Sequence, residues 1–232
     1  MAIISSLLLS LTFTSLKPIQ DINIEVDMKK NILKSIGKKT ESMDSKQVVK
    51  MYNDIITEVV LNEFGEVDTT LSFIDLISNE DKSTGEVKYY NNLIRYYPAY
   101  ESNDASSAFI IPVSGKGLWS TLYGYFALSK NDYCTSKGIT FYKHGETPGL
   151  GAEVEKDWFQ NQFKESSGKK IFNSDGELQS ISVVKKADIS NIHEVDGISG
   201  ATITSKGVSD FLLRDLGNYK SYLIKEFKKK NG

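Results

Sequence analysis

The chain has one cysteine, Cys134, in 232 residues. It can therefore form no internal disulfide, and it cannot by itself hold a cysteine-ligated metal cluster. Its two histidines, His144 and His193, are too few for a typical zinc site without carboxylate help. Net charge is −2, which excludes the broad basic field that nucleic acid selects. Gly115-x-Gly117 lacks the third glycine and the strand–helix setting of a dinucleotide loop, so no NADH site is expected. No internal repeat and no low-complexity linker interrupts the chain. Charge is also absent from Ala2 to Leu16.

That uncharged segment is the one strongly apolar stretch: Ile3-Ile4, Leu7-Leu8-Leu9, Leu11, Phe13 and Leu16. As a helix its roughly fifteen residues span about 22 Å, short of a hydrocarbon core of about 30 Å. A signal peptide would need a basic leading region and an A-x-A cleavage site, and neither is present. A buried helix would need a polar face, which is missing. The expectation is a membrane anchor over residues 1–16 that is short or incomplete. Lys29, Lys30 and Lys34 follow it and no Lys or Arg precedes Lys17, so charge does not orient it. Lys17-Pro18 should break the helix. A juxtamembrane helix from Asn23 to Ile36, stopped by Gly37, and a polar linker complete residues 17–44.

Residues 45–232 read as one domain, large enough for a real core, and 11 % aromatic content argues against disorder. A short helix from Ser45 to Tyr52 leads into a strand at Ile55–Leu61 and a turn at Asn62–Gly65. Leu71–Ile77 fits helix or strand, and Ser78–Glu86 reads as a charged loop. Tyr89–Tyr97 is aromatic-rich and ends at Pro98, and Ala108–Val113, Leu122–Leu128, Gly138–Tyr142 and Leu178–Val184 read as extended runs. Val154–Gln162 reads as a helix burying Trp158, Phe159 and Phe163. Val208, Phe211, Leu212, Leu216 and Tyr219 mark one face of a C-terminal helix, followed by a basic tail at Lys225 and Lys228–Lys230. This order predicts an α+β fold, mostly antiparallel sheet packed with helices.

The densest signal is Asp196-Gly197-Ile198-Ser199-Gly200-Ala201-Thr202-Ile203-Thr204-Ser205. Small residues and hydroxyls stand directly before an amphipathic helix, whose unpaired N–H groups and partial positive charge suit a phosphate. Gly200 and Ala201 permit a close approach to the backbone. The same hydroxyls would also serve a plain helix cap. The D-x-x-S-G-A-T order resembles the site at which a flavin transferase esterifies the phosphate of FMN to a threonine, which implies Thr202 as the acceptor. Ser199, Thr204 and Ser205 are then phosphate or cap partners, with Thr204 and Ser205 as fallback acceptors. Lys206 would add positive charge or stand exposed. Asp196 would orient the loop, meet the transferase's metal or form an Asx turn.

A second block, Gly117-Leu118-Trp119-Ser120-Thr121-Leu122-Tyr123-Gly124-Tyr125, precedes Gly145-Glu146-Thr147-Pro148-Gly149-Leu150-Gly151. With Leu16-Lys17-Pro18-Ile19-Gln20, these resemble the NqrC family, a component of the Na+-translocating NADH:quinone oxidoreductases (Nqr), in order and approximate spacing over almost the whole chain. The related RnfG proteins of the Rnf complexes share the E-T-x-G-L-G and S-G-A-T elements, whereas G-L-W-S-T-x-Y-G favours NqrC. The resemblance implies a single N-terminal transmembrane helix and a periplasmic FMN-binding domain in the bacterial inner membrane. It further implies partner subunits, a flavin transferase for maturation, and NADH, quinone and Na+ sites located elsewhere. Thr147, Leu150 and Gly151 become candidates for contact with the flavin, and Trp119 and Tyr123 candidates for stacking near it or for the core. Glu146 would be a proton partner or a loop anchor. A cofactor-free, membrane-anchored structural module is the competing class, with the S-G-A-T loop as a cap only.

Overall fold

Alternating side chains build a sheet with two buried faces. The computed structural model describes residues 2–231. Strands β1 (Ile56–Leu61), β2 (Ile77–Glu80), β3 (Val87–Asn91), β4 (Ile94–Ser102), β5 (Ala108–Lys116), β6 (Thr121–Ser129) and β7 (Ser136–Lys143) form one seven-stranded sheet. The path runs β2-β3-β4-β5-β6-β7, and every pairing is antiparallel. The far end of β4 also pairs with β1, from Tyr97↔Leu61 to Ser102↔Ile56.

Along β5 and β6, Phe109, Ile111, Val113, Leu122, Phe126 and Leu128 join one core, while Ala108, Ile110, Tyr125 and Ala127 join the other. Successive strand residues point to opposite faces, so a sheet covered on both sides reads as a nearly continuous apolar run. This accounts for the Ala108–Val113 and Leu122–Leu128 segments.

Helix α1 (Ala2–Ser35) covers one face together with α2 (Ser45–Ile55). Ile32, Leu33 and Ile36 are buried there with Val48 and Tyr52. Asp44 caps α2 through a reciprocal capping box with Gln47. Contrary to the expected break, α1 runs through Pro18. A proline ring holds a φ compatible with a helix, and its cost is one missing hydrogen bond plus a clash with the preceding turn. Large apolar side chains from Ile4 to Ile24 stand exposed on α1, whereas the side chains of Ile3 and Leu8 lie outside those described. Among the described residues no helix is long and apolar enough to cross a membrane.

The opposite face is covered by α4 (Thr202–Asn218), α5 (Lys220–Asn231) and a small parallel pair, β8 (Ser182–Val184) with β9 (Glu194–Asp196). All five expected face residues of α4 and its end, Val208, Phe211, Leu212, Leu216 and Tyr219, are buried. Burying a side chain such as Phe211 contributes about 1.5–3 kcal/mol. A Cβ at Gly115 would strike the Phe211 ring, and one at Gly207 the carbonyl of Lys116, so these glycines let α4 lie directly on β5.

Three local readings change. Val154–Phe163 is a chain of short turns with a single helical turn, α3 (Asp157–Gln160), at its centre. Phe159 and Phe163 are buried as expected, but Trp158 turns outward and donates to Glu153 Oε2 at 2.8 Å. The indole N–H needs a partner, and the surface supplies one. The Ser78–Glu86 segment begins inside β2, because Ile77–Glu80 pairs with Val87–Tyr90. Only the last residues of Leu178–Val184 form a strand; Ser180 has a left-handed φ of 67°, which interrupts the extended run.

Candidate functional site at the start of helix α4

Three segments distant in sequence meet where α4 begins. Gly197 N–H donates to Val184 O at 2.6 Å, extending the β8–β9 pair into the loop. Gly200 then takes a φ of 76°, and Ala201 becomes the N-cap. Alanine has no side-chain oxygen, so the first-turn amides of α4 carry no side-chain cap.

The expected hydroxyl roles divide sharply. Thr204 and Ser205 are buried. Ser205 Oγ accepts from Ile198 N at 3.0 Å, and Thr204 Oγ1 donates to Glu146 Oε2 at 2.7 Å. Both are committed inside the protein and cannot serve as fallback acceptors on the surface. Thr202 and Ser199 are exposed, and among the described residues the Thr202 hydroxyl has no hydrogen-bond partner. A cleft of about 350 Å³ opens beside Thr202, with Lys185, Gly197, Ser199, Gly200 and Lys206 in its lining. Lys206 is exposed and paired with Asp210 one turn on. Asp196 accepts from Ala187 N at 2.7 Å through its side chain, and its own N–H donates to Gln162 at 2.8 Å. It ties the loop down.

Glu146 is 5 % exposed, yet it is the most heavily bonded carboxylate of this region. Oε1 accepts from Trp119 N at 2.9 Å, Ser120 N at 2.9 Å and Ser120 Oγ at 3.2 Å. Oε2 accepts from Leu118 N at 3.1 Å and from the Thr204 hydroxyl. Burial pushes its pKa up, but the bonds from Thr204, Trp119, Ser120 and Leu118 outweigh it and hold the group below the usual carboxylate range. Of the two roles expected for Glu146, the geometry fits a loop anchor.

Gly151 is buried, and a Cβ there would lie 2.5 Å from Glu146 Oε2 and 2.8 Å from Thr204 Oγ1. Its lack of a side chain makes room for the carboxylate. Leu150 is 41 % exposed and lies against Gly200, where a Cβ would meet its Cδ2 at 2.9 Å. Thr147 is exposed in the same loop, and its carbonyl accepts from Leu150 and Ala152. Trp119 is 73 % exposed on the neighbouring loop. Tyr123 is not brought to this corner. Its ring neighbours Tyr142 on the sheet face covered by α1, and its hydroxyl donates to Glu80 at 2.7 Å. Two residues not singled out in the sequence join the corner: Leu118, 47 % exposed, and Ile203, 59 % exposed. The available signal was an apolar residue in the exposed first turn of an otherwise amphipathic helix.

The residues present fit a phosphorylated planar cofactor. An unpartnered surface hydroxyl and an uncapped helix N-terminus suit the phosphate, and exposed Trp119, Leu150 and Ile203 offer apolar surface for a ring system. Among the described residues no cluster of His, Cys, Asp and Glu is arranged to hold a metal ion.

This corner falls inside residues 117–214, which match the family model of the FMN-binding domain. The protein is thus of the flavin-binding class. Over 227 residues it is 32 % identical to the NqrC component of the Na(+)-translocating NADH-quinone reductase of Pseudomonas aeruginosa, covering 90 % of this chain and 85 % of that protein. The corresponding component from Vibrio anguillarum is 33 % identical over 232 residues, with 94 % and 88 % covered. The crystal structure of the same component from Parabacteroides distasonis superposes with a TM-score of 0.73 at 35 % identity, covering 90 % of this chain and 96 % of that one. Shewanella oneidensis NqrC gives 0.69 at 25 % identity, covering 88 % and 97 %. The chain belongs to the NqrC family of the Na(+)-translocating NADH-quinone reductases.

Proposed function

We propose that this protein is the electron-carrying subunit of a membrane complex that oxidises NADH, reduces quinone and moves Na+, and that it holds FMN through a phosphoester to Thr202. The observation that carries the reading is the state of the hydroxyls in one motif: Thr204 and Ser205 are buried and bonded, while Thr202 stands exposed and unpartnered at an uncapped helix start. A flavin transferase working from outside can reach Thr202. Bound FMN supplies reversible transfer of single electrons, and the chain supplies position and electrostatics.

The residues around Thr202 each have a defined task. The first turn of α4 favours the negative charge that a phosphodiester keeps, by about 0.3–1 kcal/mol. Ser199 and the glycine at 200 leave the phosphate side of the cleft open. Trp119, Leu150 and Ile203 exclude water from one side of the ring and offer it apolar contact, with Thr147 at the edge. A covalent tether suits a domain that faces bulk medium, where a dissociable flavin would be lost.

The exposed apolar side chains from Ile4 to Ile24 on α1 support seating of that half in the bacterial inner membrane or against partner subunits there, with the flavin domain on the periplasmic side. Mutation of Thr202 tests the assignment. Thr202→Val, produced with a flavin transferase, should lose the FMN mass and show no fluorescent band in a denaturing gel, while the far-ultraviolet spectrum stays native. A variant as fluorescent as the parent would place the flavin elsewhere.

A further inference from the structure

The geometry points to Glu146 as the positioning residue of the flavin site: its carboxylate brackets the first turn of α4 to the Leu118–Ser120 loop and thereby fixes where Trp119 stands relative to Thr202. This rests on FMN being held at Thr202, and it names the group that sets the distance between tether and ring wall. The bracket has two ends. One is the Thr204 hydroxyl, bonded at 2.7 Å and lying two residues beyond Thr202 on the same helical turn. The other is the run of amides at Leu118, Trp119 and Ser120, bonded at 2.9–3.1 Å.

Trp119 cannot hold its own place by packing, because its side chain is 73 % exposed. Its backbone is held by Glu146. An ionised carboxylate offers about four lone-pair directions. Five donors share them here, so the carboxylate is fully committed within the protein. The glycines of both loops follow the same logic. A Cβ at Gly117 would come within 2.7 Å of the Glu146 carboxylate carbon, and one at Gly151 within 2.5 Å of its Oε2. Glycine at these two positions therefore makes room for the acid of this chain, whatever lies outside it.

The test uses the full chain and a conservative pair at the far end of the bracket. Thr204→Val keeps the shape and removes the donor; Thr204→Ser restores it; Glu146→Gln replaces one acceptor oxygen by a donor. Hydrogen exchange on flavin-free protein is read first. Exchange at the Leu118, Trp119 and Ser120 amides should quicken by about 3–10-fold in Thr204→Val, the factor one hydrogen bond of ordinary net strength supplies. It should quicken more in Glu146→Gln and return to the parent rate in Thr204→Ser. Protein matured with a flavin transferase is read second. The FMN mass should persist in all three variants, while visible circular dichroism of the flavin is lost in Thr204→Val and Glu146→Gln and recovered in Thr204→Ser. Parent-like exchange in Thr204→Val overturns the bracket. Faster exchange with an unchanged flavin spectrum overturns its positioning role. A parent protein without FMN mass at Thr202 overturns the functional reading instead, and the exchange data then decide by themselves whether the bracket exists.

Discussion

Two carboxylates grip helix α4, one near each end, with the same small solvent exposure but at different depths. Glu146 meets its first turn and Asp215 lies in its last, each 5 % exposed. Their protonation equilibria move in opposite directions. Glu146 is held below the usual range. Asp215 is pushed up to about 7 by burial and by the charge of Glu86, against the pull of Arg214 and the Ser114 amide. Depth and donors both differ: Asp215 is enclosed far more completely, and loss of water is the largest cause of its shift. Glu146 collects three amides and two hydroxyls. Asp215 has one amide, Ser114 N at 2.8 Å, and one guanidinium, with Arg214 Nε and Nη2 at 2.9 and 2.7 Å from Oδ1. The charge of a buried acid is set by the balance of its desolvation against its hydrogen bonds. The well-supplied acid stands at the exposed start of the helix beside the candidate site, and the more deeply enclosed one at its other end.

Removing Arg214 should have the largest effect on this contrast. Arg214→Met leaves Asp215 buried without its ion-pair partner, which typically costs about 3–5 kcal/mol. The loss should sit at the low end at pH 5 and rise at pH 8, because Asp215 can shed its charge by binding a proton. Urea unfolding at the two pH values measures it, and equal losses would mean that Asp215 stays ionised throughout.

A pH series sharpens the comparison further. Asp215 has a folded pKa above its unfolded value, so the native state binds a proton that the unfolded chain releases near 3.8. Its contribution to stability is present below that pH and is lost as pH rises from about 4 to about 7. Asp215→Asn should flatten this slope. Glu146 has the reverse sign: its folded pKa is depressed, so its contribution is present above the unfolded value and is lost as pH falls through the folded one. An Asp215→Asn profile that keeps the parent's decline toward neutral pH would remove Asp215 as its source.

The smallest effect is expected at Gly200. Gly200→Ala must hold a φ of 76° and press a Cβ toward Leu150 Cδ2. Left-handed backbone costs a non-glycine residue roughly 1–2 kcal/mol, and the flexible end of Leu150 can yield. Thermal melting should fall by a few degrees, with FMN still attached to Thr202. A larger loss with no flavin attached would show that the loop conformation itself, and not the hydroxyl, selects the acceptor.

The strands β1, β5, β6 and β7 and the buried face of α4 were legible in the chain, because apolar runs and helical patterns are local, whereas β2, β3, β4 and β9 were not read as strands. The meeting of Gly145–Gly151 with the S-G-A-T loop was legible only through the family resemblance, since no local pattern joins segments so far apart. The run of α1 through Pro18 was not legible, because a proline rule gives a cost and not an outcome. Trp158 escaped for a related reason. Its spacing matched a helical face, but the segment folded as separate turns, and those turned the indole toward Glu153. The β8–β9 pair joins residues about a dozen apart through a parallel register that no local pattern marks.

The sequence by itself determined the family, the apolar runs of the sheet and the candidate threonine, since each is written in side-chain type and spacing. Only the tertiary structure decided which hydroxyls of Thr202, Thr204 and Ser205 remain available. That choice depends on Glu146, 58 residues before Thr204, and on Ile198, whose amide occupies Ser205. Hydrogen bonds of this kind form between elements that the fold must first bring within about 3 Å, a condition that no window of sequence contains.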